Sequence, residues 1–147
     1  MKIWFDMDGT IADLYGVENW LPMLIANDPT PYAVAKPLVN LSYLARLLNV
    51  IQSRGCEIGV VSWLAKNSTP AYDAAVTAAK VSWLNRHLPS VKWNEVRIIQ
   101  YGSNKWEECG AGILFDDEEP NRENWGGEAY SPDEIFRVLN FIKNNLD

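Results

Sequence analysis

Two carboxylates, Asp6 and Asp8, stand two residues apart in WFDMDGT, where an apolar run gives way to Gly-Thr. Side chains of an extended chain repeat every two residues, so both acids share one side. Like charges at that spacing oppose each other's ionisation unless a cation lies between them. Three more stretches carry residues that suit the same chemistry: Ser62 near the end of EIGVVSW, Lys105 after EVRIIQY, and Asp116 with Asp117 after GILF. Several acids, one hydroxyl and one ammonium in a single cleft would make a metal-plus-phosphate site. Carboxylates and water are the ligands that Mg²⁺ prefers. Each stretch alone has a plainer explanation: a turn at Asp6–Gly9, a hydrogen-bonded strand end at Ser62, an exposed lysine at Lys105, a solvated acidic turn at Asp116–Glu119. Their joint placement carries the weight.

Other motif readings fail on spacing. A calcium loop counted from Asp6 would need Gly at its sixth position and Glu at its twelfth, where Ile11 and Val17 stand. Gly102-Ser103-Asn104-Lys105 lacks the Walker spacing of a P-loop. The lone His87 falls near the end of a helical stretch and reads as a helix-end residue. Of the seven tryptophans, Trp20 and Trp63 lie close enough to the acidic motifs to touch a ligand, and the others read mostly as core.

The elements that must position these groups alternate. Strands are expected at Lys2–Met7, Glu57–Trp63, Glu95–Tyr101 and Gly112–Phe115, with a short one near Glu128–Tyr130. Pro37 reads as opening a helix whose apolar face is Leu38, Leu41, Leu44, Ala45, Leu48 and Ile51, stopped by Gly55. Thr69 and Pro70 start a second helix carrying Val76, Ala79, Val81, Trp83 and Leu84. A short helix is expected over Asn104–Cys109, and a closing helix over Asp133–Leu146 with Ser131 as its N-cap. Strands that are continuous apolar runs, separated by helices, imply an α/β fold: a three-layer, Rossmann-like parallel sheet with helices on both faces. Ligands of such sheets bind beyond the carboxyl ends of the strands, which is where the polar residues fall. Leu14–Lys36, punctuated by Pro22, Pro29 and Pro31, reads as an irregular insertion after the first strand, of a length that is usually functional.

The chain has 147 residues, the size of one domain spanning 1–147, with 14–36 as its small cap-like insertion. Its composition, 48% hydrophobic and 22% charged, is that of a globular protein. A net charge of −6 argues against an extended nucleic-acid surface. No apolar run approaches the roughly 20 residues of a membrane span, and Asp6 interrupts any signal-peptide core. Two cysteines without metal or redox spacing read as free thiols in a reducing compartment. The expected location is the cytoplasm.

Asp6-Met7-Asp8-Gly9-Thr10 after a hydrophobic strand resembles the first motif of the haloacid dehalogenase-like phosphohydrolases. Ser62 after GVV resembles the second motif, Lys105 the third, and Asp116-Asp117 after GILF the fourth. Lys80 is a second candidate for the third-motif lysine; Lys105 is preferred because it follows a strand, whereas Lys80 sits mid-helix. The stretch Lys80–Leu84, with Lys105 and the Asp pair, is weakly similar to the 5′(3′)-deoxyribonucleotidase branch. The resemblance implies a Mg²⁺-dependent phosphomonoesterase acting on a small phosphorylated metabolite or nucleotide. It implies Asp6 as nucleophile, forming an aspartyl-phosphate, and Asp8 as acid and then base. Mg²⁺ would be held by Asp6, the Asp8 backbone carbonyl and Asp117, with Asp116 behind it. Ser62 and backbone amides near Met7 and Trp63 would hold phosphoryl oxygens, and Lys105 would stabilise charge. That branch carries a sizeable helical cap; 14–36 is much smaller, which leaves the site open to a larger substrate or to a second subunit covering it.

Three alternatives stand beside this reading. A receiver-like phospho-acceptor would need an acid after the third strand, where Gln100-Tyr101-Gly102 stands. A non-catalytic binding protein of the same fold would not need every catalytic residue type. A nucleic-acid 3′-phosphatase sits poorly with the acidic balance.

Overall fold

The computed structural model describes residues 1–146. Five parallel strands form the main sheet: β1 (Lys2–Phe5), β4 (Glu57–Trp63), β5 (Glu95–Ile99), β6 (Ile113–Phe115) and β7 (Ala129–Tyr130), in the order β5-β4-β1-β6-β7. A separate antiparallel ribbon joins β2 (Ala12–Asp13) to β3 (Lys36–Pro37). The helices are α1 (Trp20–Ile25), α2 (Thr30–Val34), α3 (Leu41–Ser53), α4 (Pro70–His87), α5 (Lys105–Cys109), α6 (Glu119–Glu123) and α7 (Ile135–Asn145). This is a Rossmann-like α/β architecture. Among the described residues no helix is long and apolar enough to cross a membrane.

β1 lies at the centre, pairing Ile3 with Ile58 on one side and with Ile113 on the other. Its alternation sorts the core into layers. Ile3 and Phe5 face Leu44, Leu48 and Ile51 of α3, Trp83 and Leu84 of α4, and Leu139 and Ile142 of α7. Trp4 faces the opposite way, toward Val61, Leu114 and Trp125, with Trp106 of α5 beside them. Gly59 is required where β4 passes Trp4, because a Cβ there would enter the indole ring. Cys56 is buried and Cys109 half-buried, and both are free thiols.

The boundaries differ from the sequence expectation in instructive places. Pro37 does not open α3; it pairs with Ala12 in the ribbon, and the Leu38 N–H donates to the Ile11 carbonyl. The helix starts four residues later, where the Asn40 side chain accepts from the Tyr43 N–H at 3.0 Å. Leu38 is consequently exposed, as is Val81, which α4 turns outward. β1 and β5 stop at Phe5 and Ile99, two residues short of expectation, because the chain turns at both sheet ends. Ser131 does not cap the last helix through its side chain; its hydroxyl bonds Asp133, and a 3₁₀ turn at Pro132–Glu134 precedes α7. The 14–36 segment, expected to be irregular, holds a 3₁₀ turn at Leu14–Gly16 and then α1 and α2.

Candidate functional site

After β1 the chain folds back tightly. The Met7 carbonyl accepts the N–H groups of Thr10, Ile11 and Ala12 at 3.0–3.1 Å. Gly9 has φ 82°, and a side chain there would collide with the Asp117 carboxylate and the Tyr15 ring. The turn delivers Asp6 to the carboxyl edge of the sheet. Its Oδ1 accepts from Lys105 Nζ at 2.9 Å and its Oδ2 from Thr10 Oγ1 at 2.9 Å. Neither the Met7 nor the Asp8 N–H has an acceptor among the described residues, so both are open to an anion.

Lys105 opens α5, whose start is fixed by Asn104 accepting from the Glu107 N–H at 3.1 Å. From there the buried ammonium reaches across to Asp6 and also donates to Asp116 Oδ2 at 2.7 Å. Asp116 is held on every side: Oδ1 accepts from the Glu118 N–H at 3.0 Å, and Asn121 Nδ2 donates to Oδ2 at 3.2 Å. Asp117 is the contrast. Its closest donor is Thr10 Oγ1, at a long 3.4 Å. Ligand oxygens of Asp6, Asp116 and Asp117 all lie within 4.8 Å of one another. This acidic triad could hold a metal ion. An all-oxygen donor set suits a hard divalent cation, and each Asp6 oxygen, having accepted one bond, keeps a free lone pair.

The electrostatics suit a bound cation. Four carboxyl groups (Asp6, Asp8, Asp116, Asp117) meet two ammonium groups (Lys80, Lys105), so full ionisation of the acids would leave the cluster anionic. Burial and the neighbouring Asp6 charge push the Asp116 and Asp117 carboxyls above their ordinary range. Burial works against the Lys105 charge, yet Asp6 and Asp116 together outweigh it and hold that pKa above the usual lysine value. Burial also raises the Asp8 carboxyl, opposed by Lys80.

Above this floor lies a cleft of about 410 Å³. The 14–36 segment supplies one wall with Tyr15, Trp20, Leu21 and Leu24. Trp63 and Tyr101 line it too, their rings 5.1 Å apart, with the Trp63 indole N–H donating to the Ser103 carbonyl at 3.0 Å.

Asp6, Asp8, Trp63, Lys105, Asp116 and Asp117, all singled out in the sequence, line this one cleft. Ser62 does not. It is fully buried behind the cleft wall, and its Oγ accepts from Lys80 Nζ at 2.6 Å. His87 ends α4 against the Trp83 ring and is not among the cleft residues. The sequence does not point to the contacts of Thr10 with Asp6 or of Asn121 with Asp116, nor to the place of Lys80 beside Asp8. The helical period offered a signal for Lys80, which falls on the face of Val76, Trp83 and Leu84. In comparisons with known proteins no family model matches the chain, and no curated protein or solved structure does so either.

Proposed function

We propose that the protein is a Mg²⁺-dependent phosphomonoester hydrolase of the haloacid dehalogenase-like type, working through an aspartyl-phosphate on Asp6. The observation that carries this reading is the bridge of Lys105 between Asp6 and Asp116, at 2.9 and 2.7 Å, beside an almost unpartnered Asp117. A lysine shared by two acids next to a third, at the carboxyl end of a parallel sheet, suits nucleophile, charge stabiliser and cation site together.

In this mechanism Asp6 attacks the phosphorus of a bound monoester. The bond to the leaving oxygen breaks, and that oxygen takes its proton from Asp8. Asp8 then takes a proton from water, whose oxygen attacks the phosphorus, breaks the bond to Asp6 and releases inorganic phosphate. The open Met7 and Asp8 amides receive phosphoryl oxygens. Lys105 keeps Asp6 oriented and offsets charge as the phosphoryl group transfers. Asp6 and Asp117, with the Asp8 carbonyl, would hold Mg²⁺, and Asp116 would steady the arrangement through Lys105. Mg²⁺, when bound, supplies Lewis-acid stabilisation of phosphoryl charge. Ser62 acts from behind the wall, through Lys80, rather than on the phosphate. The aromatic cleft suits a flat leaving group, as in a nucleotide, over a highly polar one.

Purified protein given p-nitrophenyl phosphate and Mg²⁺ should release p-nitrophenol. EDTA should stop the reaction, and Asp6→Asn should abolish it. Absence of turnover with any divalent cation would overturn the proposal. A stable phosphoprotein formed from acetyl phosphate, without turnover, would instead favour a receiver-like acceptor.

A further inference from the structure

Lys80 is a buried lysine in the middle of a helix, 1% exposed, one turn beyond Val76 on the face that packs inward. An apolar side chain would be the ordinary occupant, because desolvating an ammonium is costly. Its three N–H groups meet three acceptors: Asp8 Oδ2 at 2.8 Å, Ser62 Oγ at 2.6 Å and the Trp63 carbonyl at 2.7 Å. The Tyr32 ring lies 5.0 Å from the same nitrogen. No donor is left over for a substrate. Two of the three bonds end on β4, and the third crosses to the loop after β1. Lys80 is therefore a strut between the end of one strand and the turn that follows another.

Asp8 depends on that strut. Among the described residues Lys80 is the only donor to its carboxylate. Oδ1 accepts no hydrogen bond, and the side chain lines the cleft at 15% exposure. An oxygen that accepts from an ammonium is not the one that carries a proton to a substrate, so the acid's proton belongs on Oδ1, on the other side of the carboxyl from Lys80.

We infer that Lys80 is a positioning residue for Asp8, fixing which carboxylate oxygen faces the leaving group. The inference rests on the phosphatase reading above. It predicts a particular kinetic signature. General acid catalysis contributes on the order of 10²–10⁴-fold, and it matters most when the leaving oxygen is basic. A misplaced Asp8 should therefore harm turnover of esters with poor leaving groups and largely spare those with good ones. Loss of a phosphate contact, or general loosening of the fold, would harm both alike.

The test compares p-nitrophenyl phosphate with phenyl phosphate, two esters of similar shape whose leaving groups differ in basicity. In Lys80→Met, kcat/KM for p-nitrophenyl phosphate should fall less than about tenfold, and for phenyl phosphate about 10²-fold. The inhibition constant for inorganic phosphate should stay within about threefold of wild type, since Lys80 has no donor to spare for it. Lys80→Met alone leaves the Asp8 carboxylate beside an apolar group, so Asp8→Asn and the double variant complete the set. The double variant removes both charges together and keeps the shapes. In the Asp8→Asn background Lys80→Met should alter kcat/KM for phenyl phosphate by less than about twofold. Equal losses on both esters, a large rise in the phosphate inhibition constant, or a further steep drop in the double variant would each overturn the inference while leaving a working phosphatase. Wild-type protein inert toward both esters with any divalent cation would overturn the phosphatase reading, and the inference with it.

Discussion

The floor of the cleft and its rim are built on opposite principles. On the floor Asp6, Asp116 and both lysines are buried, and every acid but Asp117 is firmly tied: Asp6 to Lys105 and Thr10, Asp116 to Lys105, Asn121 and the Glu118 amide, Asp8 to Lys80. The rim is formed by half-exposed rings and aliphatic chains, Tyr15 edge-on to Trp20 at 5.0 Å, and Leu21 half in solvent. The floor grows from the ends of three adjacent strands, β4, β1 and β6, whose spacing the ladder fixes. The rim grows from a short insertion with two helices of five and six residues. Rigid, charged groups suit bond-making, which tolerates little misplacement. An apolar wall suits selection of a leaving group, where contact area counts more than exact angle.

Lys105→Met should break the floor most severely. It removes the ammonium that bridges Asp6 and Asp116 and leaves two buried carboxylates facing each other. Removing one partner of a buried pair costs about 3–5 kcal/mol of stability. On the proposed mechanism, loss of the Lys105 charge should lower kcat by roughly 10²–10³. Chemical denaturation and steady-state kinetics on the same variant would measure both. A stable, active Lys105→Met would dissolve the distinction between floor and rim.

The next test concerns a cation on the acidic triad. Asp116 and Asp117 hold their protons more tightly in the folded chain than in the unfolded one, and Asp117 is pushed up to about 8. A raised carboxyl stabilises the fold fully below its unfolded value of 3.8 and loses that contribution as pH climbs through its folded value. Without a divalent cation, this contribution should therefore fade between pH 4 and about 8. A cation binds the deprotonated form, so its benefit grows over the same interval. At about a hundred times its dissociation constant, Mg²⁺ would add about 2.7 kcal/mol, or about 5–10 °C in Tm for a chain of this size. Thermal melts at pH 5 and pH 8, with Mg²⁺ and with EDTA, should show the larger shift at pH 8. An equal shift at both, or none, would remove the acidic triad as a cation site.

How far each region could be read from sequence follows from the same contrast. Strands announce themselves as apolar runs, and a parallel sheet carries their carboxyl ends to one edge, so Asp6, Asp8, Asp116 and Asp117 could be placed together before any coordinates. Lys105 followed because it comes shortly after β5. Lys80 enters the sequence reading as the second candidate for the third-motif lysine, set aside because it sits mid-helix, where a lysine ordinarily reaches back to water; in the structure it finds Asp8 instead. The insertion misled for a different reason. Its prolines suggested irregular chain, yet Pro22 and Pro31 sit in the first turns of α1 and α2, where a missing N–H costs nothing. Ser62 was rightly put at the end of β4, but nothing in one sequence says that its hydroxyl would be taken up by a lysine arriving from α4.

The smallest expected effect sharpens the rim. Trp20 touches the cleft and the Tyr15 ring, and none of its atoms bonds to Asp6, Asp8 or either lysine. Trp20→Ala removes apolar wall without disturbing Asp6, Asp8 or the two lysines. For an aromatic phosphomonoester the lost contact should be worth about 1–2 kcal/mol, a rise of roughly five- to thirtyfold in KM with kcat held within about twofold. For a small alkyl phosphate that does not reach the wall, neither constant should move. The comparison depends on that asymmetry. A fall in kcat with both esters would mean that the insertion helps to shape the floor, and that the two regions work as one.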